Sequence, residues 1–402
     1  MSRIPYARQD ITDADVAAVA AALRAPLITQ GPGVAAFEVQ LAALTGARFA
    51  VVFSSGTAAL HSAYFAAGIQ PGRAVLTSPV TFAATANAAC YLGGAVRFAD
   101  VDRATALLDP GAVAHAAEPS RSGAPSRAGT ESIHALVPVH FGGHVAPMPR
   151  LAELAAARGW TVVEDAAHAL GAFYRDETGR RYRVGACAHS AMCCFSFHPV
   201  KHVTTGEGGA VTTNDGTLAK ALRRFRTHGI TRDAAELEAA EGPWYYEQHD
   251  LGFNYRISDF QCALGQAQLA RLADSVARRR DIAARYDAGF AGHPGIAPMA
   301  APTWSESAYH LYVIRVAASA RRAVFDGLRA AGIEVNVHYI PVYRHPYYRA
   351  RGFARTRLAG AEAHYAGAIT LPMYPALRDG QVDRVIAEVM RQVERHEAVH
   401  AH

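Results

Sequence analysis

The chain predicts an α/β fold: a large unit built on a mostly parallel sheet, followed by a smaller C-terminal α+β unit. Two observations predict it. Short β-rich runs alternate with alanine-rich helical patterns over the first two thirds of the sequence, the rhythm of βαβ units rather than of a sandwich. The 402 residues, 50% hydrophobic and 19% charged, are enough to bury a large core and a second, smaller one.

Taken in order, strands are expected at 49–53, 74–78, 95–98, 133–139, 161–164, 190–195 and 209–213, a seven-stranded sheet. Helices are expected at 57–67, 83–92, 149–158 and 217–226. A long helical pattern from residue 258 to about 288 leads out of the large unit. The division that follows is an N-terminal arm over 1–25, a large domain over 26–270 and a small domain over 271–402. Residues 117–129 have linker composition and predict an exposed loop. The histidine-containing tail, 396–402, predicts a frayed helix end.

Composition removes several functional classes. A net charge of +5 is modest for this length and the arginines are scattered, so nucleic-acid binding is not indicated. The start, Met1-Ser2-Arg3-Ile4-Pro5-Tyr6, has no apolar signal core, and no apolar run is long enough for a bilayer, which predicts a cytoplasmic protein with no membrane partner. Cys90, Cys187, Cys193, Cys194 and Cys262 are odd in number, lack metal-type spacing and sit mostly in apolar context. Buried free thiols suit a reducing compartment.

Lysine is nearly absent. Of 40 Lys plus Arg, only Lys201 and Lys220 are lysines. Guanidinium stays protonated and is a poor nucleophile, whereas an amine can lose its proton and condense with a carbonyl. Lys220 falls on the solvated face of a helical pattern and reads as structural. Lys201 follows an apolar run and precedes the glycine cluster Gly206-Glu207-Gly208-Gly209, the position of a strand end opening into a tight turn.

In a parallel sheet the ligand site lies outside the carboxyl ends of the strands, which selects Ser54 to Thr57, Asp165 to His168 and Ser196 to Lys201. In Ser54-Ser55-Gly56-Thr57-Ala58-Ala59-Leu60 a strand turns through a glycine into a helix whose free amides suit a phosphate, though an ordinary helix cap reads the same way. There is no P-loop lysine, which argues against a nucleoside triphosphate. Asp165 follows the apolar run Thr161-Val162-Val163-Glu164. A carboxylate there needs a cationic partner, and a protonated pyridine nitrogen is one; a helix cap or a metal ligand is the plain alternative. Ser196, five residues before Lys201, is spaced to bring a hydroxyl to a phosphate while the amine reaches an aldehyde. Asp165, Ser196 and Lys201, with the upstream glycine turn, together indicate a pyridoxal 5'-phosphate site.

With these segments in view, the chain resembles the sugar aminotransferases of the DegT/DnrJ/EryC1/StrS family, from Ile28-Thr29-Gln30-Gly31-Pro32 through Gly332-Ile333-Glu334-Val335-Asn336-Val337-His338-Tyr339. The resemblance implies the fold type I, aspartate aminotransferase-like architecture of pyridoxal phosphate enzymes. It implies that Lys201 anchors the cofactor covalently, that Asp165 pairs with the ring nitrogen and that His168 lies near the ring hydroxyl. It further implies phosphate contacts from Gly56, Thr57 and Ser196, and stacking by Phe82 on the cofactor face. It implies that Asn254, in Gly252-Phe253-Asn254-Tyr255-Arg256, reaches the phosphate of a neighbouring subunit, and hence a homodimer with shared sites. Arg256, His338 and Tyr339 are candidates for the substrate carboxylate, diphosphate or sugar hydroxyls, with ordinary ion pairing or packing as the alternative.

Within the family, Val337-His338-Tyr339-Ile340-Pro341-Val342-Tyr343 looks most like members that use L-glutamate to aminate carbon 4 of a UDP-linked 4-keto-6-deoxy-2-acetamido sugar in pseudaminic acid biosynthesis. Some relatives replace the lysine with histidine and dehydrate the sugar; Lys201 argues against that reaction. A regulatory protein without turnover is a second rival, opposed by the intact Asp165, Ser196 and Lys201 set. A metal enzyme built on His134, His140 and His144 is a third, opposed by the lack of a carboxylate or cysteine to complete a site.

Overall fold

The computed structural model describes residues 3–118, 131–239 and 241–400. Its main sheet comprises β1 (Phe49–Phe53), β2 (Arg73–Thr77), β3 (Ala95–Phe98), β4 (Ser132–Val137), β5 (Thr161–Asp165), β6 (Met192–Ser196) and β7 (Gly209–Thr213). The spatial order is β1-β7-β6-β5-β4-β2-β3. Only β7 runs against its neighbours. All seven predicted strands are present, with ends displaced by at most about two residues, the ordinary latitude of strand boundaries.

The strands read as continuous apolar runs because both faces of the sheet are covered. Successive residues serve opposite cores: Leu76, Leu136 and Val162 pack on one side, Val75, Ala135 and Val163 on the other. The helices Gly56–Ala66, Ala84–Tyr91, Met148–Ala156 and Gly216–Arg226 match the four predicted.

The long helix expected from 258 to about 288 is two helices, Asp259–Ala270 and Leu272–Phe290, broken at Arg271 (φ −115°, ψ 15°). The break accompanies a tertiary demand: Arg271 donates to Asp10 at 2.9 Å and to Asp15 at 2.7 Å, tying this corner to the N-terminal helix Asp13–Leu23. Beyond it, a three-stranded antiparallel sheet (Ala297–Pro298, Tyr312–Arg315, Ala368–Leu371) packs with the helices Arg321–Ala330 and Asp379–His400 around its own core, which includes Ile314, Val324, Ile369 and Val389. Ile4 joins that core by bridging to Ile333.

The predicted loop 117–129 begins with Ala117 and Glu118 closing the helix Pro110–Ala116; residues 119–129 lie outside the described residues. The tail expected to fray is helical as far as His400, because this last helix is anchored by Val389 and Val393 in the C-terminal core; 401 and 402 lie outside the described residues. Among the described residues no helix is long and apolar enough to cross a membrane. All five cysteines are free thiols, buried except for half-buried Cys90.

Candidate active site

The three strand ends selected by the parallel-sheet rule open into one cavity of about 730 Å³, lined by Gly56, Thr57, Asp165, His168, Ser196 and Lys201. Phe82, His338 and Tyr339 also line it. Asn254 and Arg256 do not: Asn254 is exposed, bridged to Thr227, and Arg256 is half-buried away from the cavity.

The first corner is the start of the helix Gly56–Ala66. Ser55 caps it, its hydroxyl accepting from the Ala58 amide at 3.0 Å. The amides of Gly56 and Thr57 lie in the first turn, where no intrahelical carbonyl can serve them. Gly56 is required by a close approach: a Cβ there would stand 2.8 Å from the Ser196 Cβ and 3.0 Å from its Oγ. Helix amides, the Thr57 and Ser196 hydroxyls and a glycine that clears the space form a cradle with the donors a phosphate needs.

Asp165 closes β5 and is 5% exposed. One carboxylate oxygen accepts the Thr85 hydroxyl at 2.6 Å and the other accepts the Ala167 amide at 3.1 Å. Thr85 is itself held by Thr81, the two hydroxyls 2.7 Å apart. Among the described residues no lysine, arginine or histidine pairs with this carboxylate, so a buried anion faces the cavity with neutral donors only. That is the electrostatic counterpart of a protonated ring nitrogen. Its sequence neighbour Glu164 points the other way, into a closed pair with His140 at 2.7 Å and with Ser190.

His168 is buried, and desolvation with help from the Lys201 charge holds its imidazole well below the usual 6.5. Its Nδ1 accepts from the Gly142 amide at 3.3 Å, which leaves Nε2 as the donor, 3.2 Å from the Tyr339 hydroxyl. Phe82 presents an exposed ring across the cavity mouth, 6.4 Å from the Tyr339 ring.

Lys201 lies in the turn after β6, its amide bonded to the His198 carbonyl at 2.9 Å. Burial lowers its pKa to about 7, opposed by the Asp165 carboxylate and assisted by Arg279. Its Nζ is 3.3 Å from His310 Nε2. Sequence reasoning missed Thr85, Thr81 and His310. Both threonines lie four residues apart around Phe82, a helical spacing that gave a signal; His310, in a strand approach of the C-terminal unit, gave none.

A family model, the DegT/DnrJ/EryC1/StrS aminotransferase family, matches residues 9–390. The chain belongs to this family. It is thus a pyridoxal phosphate-dependent aminotransferase with the fold of that group. It is 36% identical over 392 residues to the spore coat polysaccharide biosynthesis protein SpsC of Bacillus subtilis (strain 168), covering 96% of each chain. Helicobacter pylori PseC, an aminotransferase involved in the biosynthesis of pseudoaminic acid, superposes with a TM-score of 0.87 at 27% identity over 98% of this chain and 100% of its own. Spr1654 of Streptococcus pneumoniae, in its PLP form, superposes with a TM-score of 0.85 at 29% identity over 98% and 99% of the two chains.

The lysine that a dehydrating relative replaces is present and faces the cavity. Among the described residues no group of three His, Cys, Asp or Glu could hold a metal ion, and the histidines of that reading are spent elsewhere: His134 beside Arg73 at 3.3 Å, His140 on Glu164, His144 against the Tyr309 ring.

Proposed function

We propose that this aminotransferase moves the amino group of L-glutamate to carbon 4 of a UDP-linked 4-keto-6-deoxy-2-acetamido sugar, giving UDP-4-amino-4,6-dideoxy-N-acetyl-beta-L-altrosamine for pseudaminic acid biosynthesis. The observation that carries the chemistry is the pairing, across one cavity, of a lysine amine whose pKa burial lowers to about 7 with a buried carboxylate whose hydrogen bonds come from neutral donors. The overall likeness to PseC, and the segment from Val337 to Tyr343, support the sugar.

Gly56, Thr57 and Ser196 would hold the phosphate of the cofactor, Asp165 its ring nitrogen, and His168 would stand by the ring hydroxyl, with Phe82 against the face. When bound, pyridoxal phosphate supplies an aldehyde carbon and an electron sink. Lys201 supplies a free lone pair for covalent anchoring and, once released, accepts a proton from the substrate carbon and returns it; a permanently protonated side chain could do neither. Asp165 would favour the protonated form of the ring nitrogen, its carboxylate oriented by the Thr85 hydroxyl.

Substrate anions need partners that the described residues of this cavity do not supply. Among the described residues that line it, Lys201 is the only lysine or arginine, yet glutamate brings two carboxylates and a nucleotide sugar a diphosphate. This supports a homodimer in which a second copy supplies Asn254, toward the cofactor phosphate, and Arg256; both lie outside the cavity of their own chain. His338 and Tyr339 would meet the sugar hydroxyls.

A second reading, another keto nucleotide sugar taken by the same chemistry, is kept open by the 36% identity to SpsC, a spore coat polysaccharide biosynthesis protein. Steady-state kinetics with L-glutamate and a panel of 4-keto sugars separates the two. The UDP-linked L-arabino sugar is expected to exceed its D-xylo epimer and dTDP-linked sugars in kcat/KM by about ten- to several-hundredfold. Preference for either competitor would move the protein to the second reading.

A further inference from the structure

The mechanism leaves one buried imidazole unused. His310 is 4% exposed, and its Nε2 stands 3.3 Å from Lys201 Nζ. Its Nδ1 is buried and meets no hydrogen-bond partner among the described residues. Those two facts favour the proton on Nε2. A proton on Nδ1 would leave a buried N–H without an acceptor, the costlier of the two orphans; a proton on Nε2 leaves only a bare lone pair.

The ring is held in this direction. Arg279, fully buried in the helix Leu272–Phe290, donates to the carbonyls of Tyr309 at 3.2 Å and Met373 at 3.1 Å and approaches that of His310 at 3.5 Å. From the other side the loop after β4 presses on the same backbone. Gly143 (φ 101°) has no room for a side chain, because a Cβ would lie 2.6 Å from the Tyr309 amide nitrogen and 2.9 Å from that of His310.

We propose that His310 is a positioning residue for Lys201: its Nε2–H donates to Nζ, which can accept only as a neutral amine, and so holds the lysine unprotonated with its nitrogen fixed in place. This rests on Lys201 being the amine of the transaminase chemistry. Burial and then Arg279 oppose the ammonium form of the lysine, and Asp165 favours it; the neighbouring His168, His202 and His338 are buried and held below the usual imidazole range by desolvation. If the hydrogen bond ran the other way, from an ammonium to a bare Nε2, His310 would favour protonation instead. The two cases predict opposite shifts.

A chain with two lysines makes the test direct. The full-length protein, loaded with pyridoxamine phosphate so that Lys201 carries a free amine, is labelled with [13Cε]lysine. Its two signals, assigned with Lys220→Arg, are followed by NMR as a function of pH. His310→Phe is expected to raise the Lys201 titration by about one unit or more, since a positive charge no longer costs a hydrogen bond. His310→Gln, whose side-chain amide can still donate, is expected to stay within about half a unit of wild type. The Lys220 signal reports that the fold is intact in each variant. A Lys201 titration that is unchanged or lowered in His310→Phe overturns the proposal, as does a rise of the same size in His310→Gln. Covalent capture of the cofactor on Lys201 by borohydride, run in parallel on the wild type, shows whether a failure lies here or in the assignment of the lysine itself.

Discussion

The two lysines share a side chain and little else. Lys220 projects from the helix Gly216–Arg226 with its side chain 48% exposed, its ammonium 2.5 Å from Glu236 and 3.5 Å from Asp233. Those carboxylates raise its pKa, the Glu236 hydrogen bond first among them. Lys201, lining a cavity, has burial and then the buried Arg279 against its charge and one carboxylate, Asp165, to favour it. One lysine is an ion for solubility and surface pairing, worth little to stability. The other is a base. The difference lies wholly in what the fold puts around the nitrogen, and arginine could replace the first without loss and the second not at all.

The sharpest way to break that comparison is to make the same substitution at both positions. Lys201→Arg is expected to abolish turnover, a loss beyond about four orders of magnitude, because guanidinium can neither condense with an aldehyde nor carry a proton back and forth at neutral pH. Borohydride reduction of the wild type should leave the cofactor on the peptide containing Lys201. An adduct on Lys220, or full activity in Lys201→Arg, would reverse the assignment of the two.

Asp165→Asn tests the counter-charge that makes the Lys201 environment useful. The side chain keeps its shape and its contact with Thr85, so the fold should survive. Turnover should fall by about two to four decades, or roughly 3–5 kcal/mol of transition-state stabilisation. Near-wild-type kcat would place the ring-nitrogen partner elsewhere.

The smallest effect is on stability. In the cofactor-free protein the folded Lys201 titrates at about 7 and the unfolded chain at the ordinary 10.5. Between those values the unfolded state binds more protons, so stability must rise with pH across this window, and below it the whole penalty of the buried amine is present. Urea unfolding at several pH values should show Lys201→Met gaining on the wild type most at low pH and least near pH 10. Lys220→Arg should superimpose on the wild type throughout. A constant gap between Lys201→Met and wild type would mean that the amine is not desolvated.

Much of this was legible in the sequence, for physical reasons that can be named. The strands of a sheet covered on both faces are largely apolar, so β1, β5 and β6 stand out, and their carboxyl ends point to Gly56, Asp165 and Ser196. A lysine retained where arginine fills almost every other basic position points to Lys201. What escaped was set by contacts between distant segments. Helical periodicity runs unbroken through Arg271, and the break there accompanies salt bridges to Asp10 and Asp15 that no local pattern encodes. Thr85 and His310 are ordinary in their own segments; they acquire a role only because folding brings one against Asp165 and the other against Lys201.

The antiparallel strand β7 bears on how the protein reaches its native state. Through it, the turn bearing Lys201 becomes the loop of a local hairpin, with Ser196 and Gly209 facing each other as its last pair. That hairpin involves neighbouring residues and costs little chain entropy to close. Gly56, in contrast, meets Ser196 only after β1 has come from far away in sequence to dock on the open side of β7. The phosphate cradle is therefore expected to form late in refolding and the lysine turn early. Cofactor added to a refolding mixture is then expected to trap finished molecules and raise their yield without hastening the early steps, so that recovery of the yellow colour times the completion of the sheet.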